Sequence, residues 1–239
     1  MVNHIPFPDL CHASEDGLLT MGGDLSTDML VSAYAQGIFP WFNEEQPILW
    51  WSPDPRLVIF PGEVKISKSL TKRIKQHRFT VTCNHAFDRV IKCCALRGVS
   101  PAHQIPSVDT WITREMREAY LRLNDQGYAH SIEVWHSEKL VGGLYGVALG
   151  KVFFGESMFS RESDASKIAL VALSQWLLEK SFTVIDCQVA SQHLFSMGAK
   201  EIPRDVFLNM LNDVDINSPL LNFSHGFENI ELRNAIKAI

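Results

Sequence analysis

The chain has 239 residues, 46% hydrophobic and 21% charged, with a formal net charge of −5 at neutral pH. This length allows one large domain or two modest ones, and the apolar content suffices for a packed core. No apolar run approaches the roughly 18 residues that a membrane span needs, and the opening MVNHIPFPDL lacks the basic and apolar regions of a secretory signal. The five cysteines, Cys11, Cys83, Cys93, Cys94 and Cys187, are odd in number and lack CxxC spacing. Free thiols in a reducing cytoplasm are expected. The histidines show no zinc-ligand spacing and there is no GxGxxG loop, so neither a metal nor another cofactor is expected.

Residues 1 to 62 are dense in Pro, Gly and Trp and read as a small N-terminal domain. Ser26 caps a short helix ending at Gly37. Trp41, Trp50 and Trp51 lie close together, which suits either an aromatic core or a surface on which a nucleobase stacks. Arg56 to Phe60 reads as a strand, and Pro61-Gly62 as the boundary to a second domain over 63–239. The stretch KISKSLTKRIKQHR, residues 65 to 78, carries Lys65, Lys68, Lys72, Arg73, Lys75 and Arg78 and no acid. Ile66, Leu70 and Ile74 recur every four residues, so an amphipathic helix with a basic outer face is expected, either solvated or laid against a phosphate backbone.

Further on, FTVTC at 79–83 reads as a strand and HAFDRVIKCCAL at 85–96 as a helix. A Pro/Ser-containing loop follows, and then a helix over 113–126, capped by Thr113, with Met116, Ala119, Tyr120 and Leu123 on one face. HSIEVWH at 130–136 alternates as a strand, and 140–160 forms a hairpin turning at Gly150-Lys151. A helix opening at Ser163 or Asp164 leads to a strand over 183–189. Short helices follow near 191–197 and 205–212, before an irregular polar tail.

Strand periodicity puts Asp186 and Gln188 on one face, with Ile185, Cys187 and Val189 opposite, and puts Glu156 between Phe154 and Met158. Carboxylates within such apolar strands are costly unless solvated, paired or functional. Two carboxylates and an amide on neighbouring strands can position an amine and polarise a carbonyl, or can be satisfied core residues.

GGDL at 22–25, GIFPWF at 37–42, ILWWSPDPR at 48–56, TWIT at 110–113, AHSIEVW at 129–135, LVGGLYGVALG at 140–150, FGESMFSR at 154–161, ASKIAL at 165–170, IDCQ at 185–188 and EIPR at 201–204 occur in that order. Together they closely resemble the leucyl/phenylalanyl-tRNA–protein transferase family over about residues 5 to 211. The resemblance implies an α+β fold: a small N-terminal α/β domain and a larger domain like the Gcn5-related N-acetyltransferases, with a central mixed sheet flanked by helices. It implies a cytoplasmic enzyme needing no cofactor, which moves Leu, Phe or, less well, Met from charged tRNA to proteins beginning with Arg or Lys, marking them for N-end rule degradation.

Carried over by motif, Asp186 and Gln188 become the catalytic pair, and Glu156 holds the cationic side chain of the acceptor. Leu144, Phe153, Met158, Leu170, Leu173 and Ile185 become the pocket for the donor side chain. Ile185 conflicts with simple alternation, which sets it opposite Asp186. Trp41 and Trp111 take the terminal adenosine, and Lys65, Lys68, Lys72, Arg73 and Lys75 contact the tRNA acceptor arm. An acetyl-CoA-dependent N-acyltransferase is the alternative enzyme, but no Gln/Arg-x-x-Gly-x-Gly/Ala loop opens the helix that begins SDASK. A non-catalytic tRNA-binding module is the alternative outside enzymes.

Overall fold

The computed structural model describes residues 2–96, 112–212, 214–217, 223 and 227. After a 3-10 turn at Leu10–His12 come β1 (Leu18–Met21), α1 (Thr27–Ala35), β2 (Phe39–Pro40), β3 (Leu49–Trp51) and β4 (Arg56–Ile59). Next are α2 (Lys68–Lys75), β5 (Phe79–Cys83), α3 (Phe87–Ala95), α4 (Arg114–Asp125), β6 (Ala129–His136), β7 (Lys139–Leu149) and β8 (Val152–Ser160). The chain continues through α5 (Ala165–Glu179), β9 (Val184–Gln188), α6 (Gln192–Ser196), β10 (Lys200–Ile202) and α7 (Arg204–Asn209).

Two sheets form. A three-stranded sheet has the order β1-β3-β2, and a seven-stranded sheet the order β10-β4-β9-β8-β7-β6-β5. The larger sheet is mixed: β8 and β9, joined through α5, run parallel, and its other neighbours are antiparallel. The small sheet and α1, the helix expected after Ser26, lie within the first 51 residues. β4 precedes the Pro61-Gly62 boundary in sequence yet lies inside the large sheet, between β9 and β10.

One core, on the α3–α4 side of the large sheet, includes Tyr34, Tyr120, Tyr145 and Phe154. The other, on the α5 side, includes Leu144, Phe153, Leu170, Leu173 and Ile185. Eleven of the fifteen α5 residues are buried, because α5 is covered by the sheet on one side and touches α2 as well. α2 is shorter than the basic stretch that announced it: Lys65 precedes it and Arg78 follows it. Its Leu70 and Ile74 point inward while Lys68, Lys72 and Lys75 stay exposed.

The expected caps form at α1, where the Ser26 hydroxyl accepts the Met29 N–H at 3.3 Å, and at α4, where Thr113 accepts that of Met116 at 3.2 Å. α3 has no side-chain cap of its own. Glu133 from β6 reaches across instead, accepting the N–H groups of His85 at 3.4 Å and Ala86 at 3.3 Å. It also takes the hydroxyls of Thr82 and Ser131, both at 2.5 Å, so a fully buried carboxylate is satisfied on every side. Asp164 does precede α5, but with φ at 67° and no capping hydrogen bond; its carboxylate holds Lys167 at 3.0 Å.

Candidate active site

The parallel ladder of β8 and β9 pairs Val152 with Val184, Phe153 with Ile185 and Phe154 with Asp186, and ends there. Just past that point both strands break their alternation. On β8 the pairing with β7 jumps from Gly146↔Gly155 to Tyr145↔Ser157, so Glu156 is the extra residue of a bulge. Phe154 therefore joins the α3–α4 core while Met158 packs against the α5 core. This corrects the expectation that Phe154, Glu156 and Met158 share a face. On β9, Gln188 adopts φ of 58°, and the register with β4 slips between Leu57 and Val58. Gln188 thus turns off the Asp186 face and opens, with Ile185 and Cys187, onto a cavity of about 720 Å³.

The conflict over Ile185 resolves with that turn. Leu144, Phe153, Met158, Leu170, Leu173 and Ile185 all line the cavity, together with Glu156 and Gln188. Cys94, Ile112, Tyr145 and Phe159, from the opposite side of the sheet, line it too, so the cavity passes through the opening where β8 and β9 part. One arm, the lining on the α5 side, is mostly apolar, with Ser166 the polar exception on α5. The other carries Glu156 among tyrosines. Ser191 and His193 border the opening beside Gln188.

Glu156 is partly accessible. Its two carboxylate oxygens accept from the hydroxyls of Tyr34 at 2.7 Å and Tyr120 at 2.8 Å; the two hydroxyl oxygens are also in contact, but each phenol has one proton, so all three bonds of the triangle form only when the Glu156 carboxyl is itself protonated. Burial pushes the Glu156 carboxyl up to about 7; the two tyrosine hydrogen bonds oppose this, the charge of Asp186 adds to it and that of Arg56 reduces it. Burial, followed by the charge of Glu156, holds both phenols well above their usual range, so they stay neutral donors. Among the described residues, no Lys or Arg pairs with Glu156.

Asp186 has the opposite arrangement. It lies outside the cavity lining, fully buried, in a bidentate pair with Arg56: Nε to Oδ1 at 2.8 Å and Nη2 to Oδ2 at 2.7 Å. Arg56 also donates to the Gly37 carbonyl at 3.1 Å, and its guanidinium lies 4.9 Å from the Phe39 ring centre and 4.7 Å from that of Phe207. The GIFP segment thereby builds the socket of this arginine. Asp186 in turn accepts the backbone N–H of Gln188 at 3.0 Å, bracing the turn that aims Gln188 at the cavity.

The remaining candidates are dispersed. Trp41, 41% exposed, packs its ring at 5.8 Å from Trp51, whose indole N–H donates to the Trp41 carbonyl. Trp50 is core. Lys65, Lys68, Lys72, Arg73 and Lys75 lie on or beside α2, away from the cavity lining, and Trp111 falls outside the described residues. The sequence reading missed Arg56 and Tyr34 as parts of the site and took Tyr120 only for a core position. A lone arginine opening the apolar run RLVIF was the available signal, because a buried guanidinium demands a buried acid.

The family model "Leucyl/phenylalanyl-tRNA protein transferase" matches residues 58–212, and that of the family's N-terminal domain matches residues 23–54. The leucyl/phenylalanyl-tRNA–protein transferase of Syntrophobacter fumaroxidans is 54% identical over 88% of this chain and 88% of its own. That of Pseudomonas syringae pv. tomato is 52% identical over 87% and 90%. Among solved structures, a GCN5-related N-acetyltransferase from Kribbella flavida aligns at 10% identity with a TM-score of 0.35, covering 69% of this chain and 56% of that one, a likeness too loose to carry an argument. With such identity over nearly nine-tenths of its length, the chain belongs to the leucyl/phenylalanyl-tRNA–protein transferase family.

Proposed function

We propose that this protein transfers leucine, phenylalanine and, less well, methionine from charged tRNA to cytoplasmic proteins that begin with Arg or Lys, marking them for N-end rule degradation. The observation that carries this reading is one cavity whose lining joins apolar side chains from the α5 side to Glu156 and includes Gln188. The apolar arm suits an aminoacyl side chain, with Met158 and three leucines as adaptable walls. The other arm offers a carboxylate that pairs with no Lys or Arg among the described residues, which suits an arginine or lysine side chain.

In the reaction, the acceptor's uncharged α-amine attacks the ester carbonyl, a peptide bond forms, and the ribose hydroxyl leaves with a proton. Gln188 is placed to hold the amine against the carbonyl. Asp186 acts behind it: its oxygens are occupied by Arg56 and by the Gln188 N–H, so its part is to orient Gln188. Trp41, and Trp111 with it, would take the terminal adenosine by stacking, and the basic face of α2 would follow the acceptor-arm phosphates. The parallel β8–β9 pair that ends beside the site supports a Gcn5-related N-acetyltransferase-like catalytic domain.

The test incubates purified protein with labelled Leu-tRNA and a peptide beginning with Arg, beside one beginning with Glu. Label on the Arg peptide alone, with nothing else added, is the expected result. Equal labelling of both peptides overturns the assignment of Glu156. No labelling of either overturns the transfer.

A further inference from the structure

The described part of the tail brings two aromatic rings back onto the domain, beyond the residues that the family model matches. Phe223 is 1% exposed and Phe227 2%. The Phe223 ring stacks on the His130 imidazole at 4.1 Å and 8°, lies 4.2 Å from Trp176, and stands 5.7 Å from the ring of Phe153. Burial holds His130 down at about 3, so it serves as a flat neutral platform at any working pH. Phe153 is itself a wall of the cavity. Phe153 near the start of β8, Trp176 near the end of α5 and Phe182 just before β9 converge on Phe223 here, behind the cavity wall that Phe153 forms.

We propose that Phe223 is a specificity-determining residue: it backs Phe153 and so sets the depth of the aminoacyl pocket. This rests on the reading of the apolar arm as the donor pocket. Phe153 has little freedom of its own. A Cβ at Gly146 would lie 2.6 Å and 2.8 Å from two of its ring atoms, so the ring lies directly on a bare backbone. Gly146 blocks movement to one side, and Phe223 fills space behind the ring. Trp176, one turn beyond the pocket residue Leu173 on α5, is held by the same Phe223. Leucine and phenylalanine differ mainly in how far they reach, so a shift of the floor acts on their ratio rather than on both alike.

The test compares Phe223→Leu and Phe223→Trp in the full chain, measuring kcat/KM for Phe-tRNA and Leu-tRNA with one Arg-initiated peptide. The smaller residue lets Phe153 recede, and the Phe-to-Leu ratio rises about threefold or more; the larger residue pushes the floor forward, and the ratio falls by a similar factor. Should Phe223→Trp fail to fold, Phe223→Met replaces it and raises the ratio in the same direction as Phe223→Leu. Phe227→Leu is the control: Phe227 touches Trp176 at 6.2 Å, and its loss lowers Tm but leaves the ratio alone. A ratio unmoved by folded Phe223 variants, or moved equally by Phe227→Leu, overturns the proposal. Met158→Trp separates this from failure of the underlying reading. If it disfavours Phe-tRNA while the Phe223 variants change nothing, the pocket stands and the tail is excluded; if it too leaves the ratio unchanged, the pocket assignment falls.

Discussion

Asp186 and Glu156 stand on neighbouring strands at the end of the same ladder, and they are held in opposite ways. Asp186 carries its cation with it: Arg56 engages both oxygens, and Phe39 and Phe207 flank the guanidinium. Glu156 has two neutral hydroxyls and no cation among the described residues. A closed charge pair has nothing left to offer a substrate. An incomplete one, facing a cavity, is completed by whatever cation enters. On the proposed reading, the difference between the two acids is a division of labour in which Asp186 would fix geometry and Glu156 would select the acceptor.

Removing the partner of Asp186 should have the largest effect, because it puts Asp186 in the position of Glu156 without a cavity to relieve it. Arg56→Met leaves a fully buried carboxylate unpaired and is expected to cost about 3–5 kcal/mol, read by denaturant unfolding. The double variant Arg56→Met/Asp186→Leu is expected to recover most of that stability and none of the transfer activity, because it removes the acceptor of the Gln188 N–H. If the double variant is active, Asp186 does not position Gln188, and the two acids do not divide the work between them.

Glu156→Gln comes next. Loss of the charge should raise KM for Arg-initiated peptides about 100-fold, with a much smaller change for a neutral N-terminal residue. The pH dependence follows from the upward shift. In the free protein the carboxyl titrates near 7, against 4.5 unfolded. Between those values the folded chain holds a proton that the unfolded chain has lost, so stability falls as pH rises through the window. Glu156→Gln should therefore flatten that fall and raise Tm at pH 8 relative to pH 5. Acceptor use in the native protein should rise with pH through about 7, and in the variant that component should vanish, leaving only the limb set by the acceptor's own α-amine at about 8. A component that persists at about 7 belongs to another group.

How far the site was legible follows from where alternation holds. α4 and its Thr113 cap, the β7–β8 hairpin and the inward faces of α2 obey simple periodicities, and the sequence shows them. The candidate site lies where periodicity fails. The bulge at Glu156 is an insertion relative to β7, visible only once two strands are paired. The positive φ of Gln188 sits on a residue that rarely adopts it, and the motif DCQ gives no hint of it. The motif resemblance named the pocket residues without explaining Ile185, and the turn at Gln188 supplied the reason. Tyr34 and Tyr120 meet across 86 positions, beyond the reach of any local pattern. The tail looked irregular because two aromatics spaced by four residues, among polar neighbours, announce no element, although both are buried.

The smallest expected effect concerns charges outside both carboxylate sites. Lys65, Lys68, Lys72 and Lys75 are exposed, and among the described residues neither they nor Arg73 form an ion pair. Unlike Arg56, these charges remain hydrated, so their value to the protein lies in long-range attraction, which salt screens. Reversing Lys68, Lys72 and Arg73 together should weaken tRNA binding about tenfold at moderate salt and reduce the slope of log K against log salt by about 2–3. Leu70 and Ile74 keep the inner face of α2 intact, so Tm should change little. kcat at saturating tRNA should also be preserved, because none of the three residues lines the cavity. A preserved salt slope would make α2 a solvated face and send the search for the tRNA path to Trp41 and the small sheet. A lowered slope with unchanged kcat would separate the binding of the RNA body, carried by exposed charge, from the choice of amino acid and acceptor, carried by the buried arms.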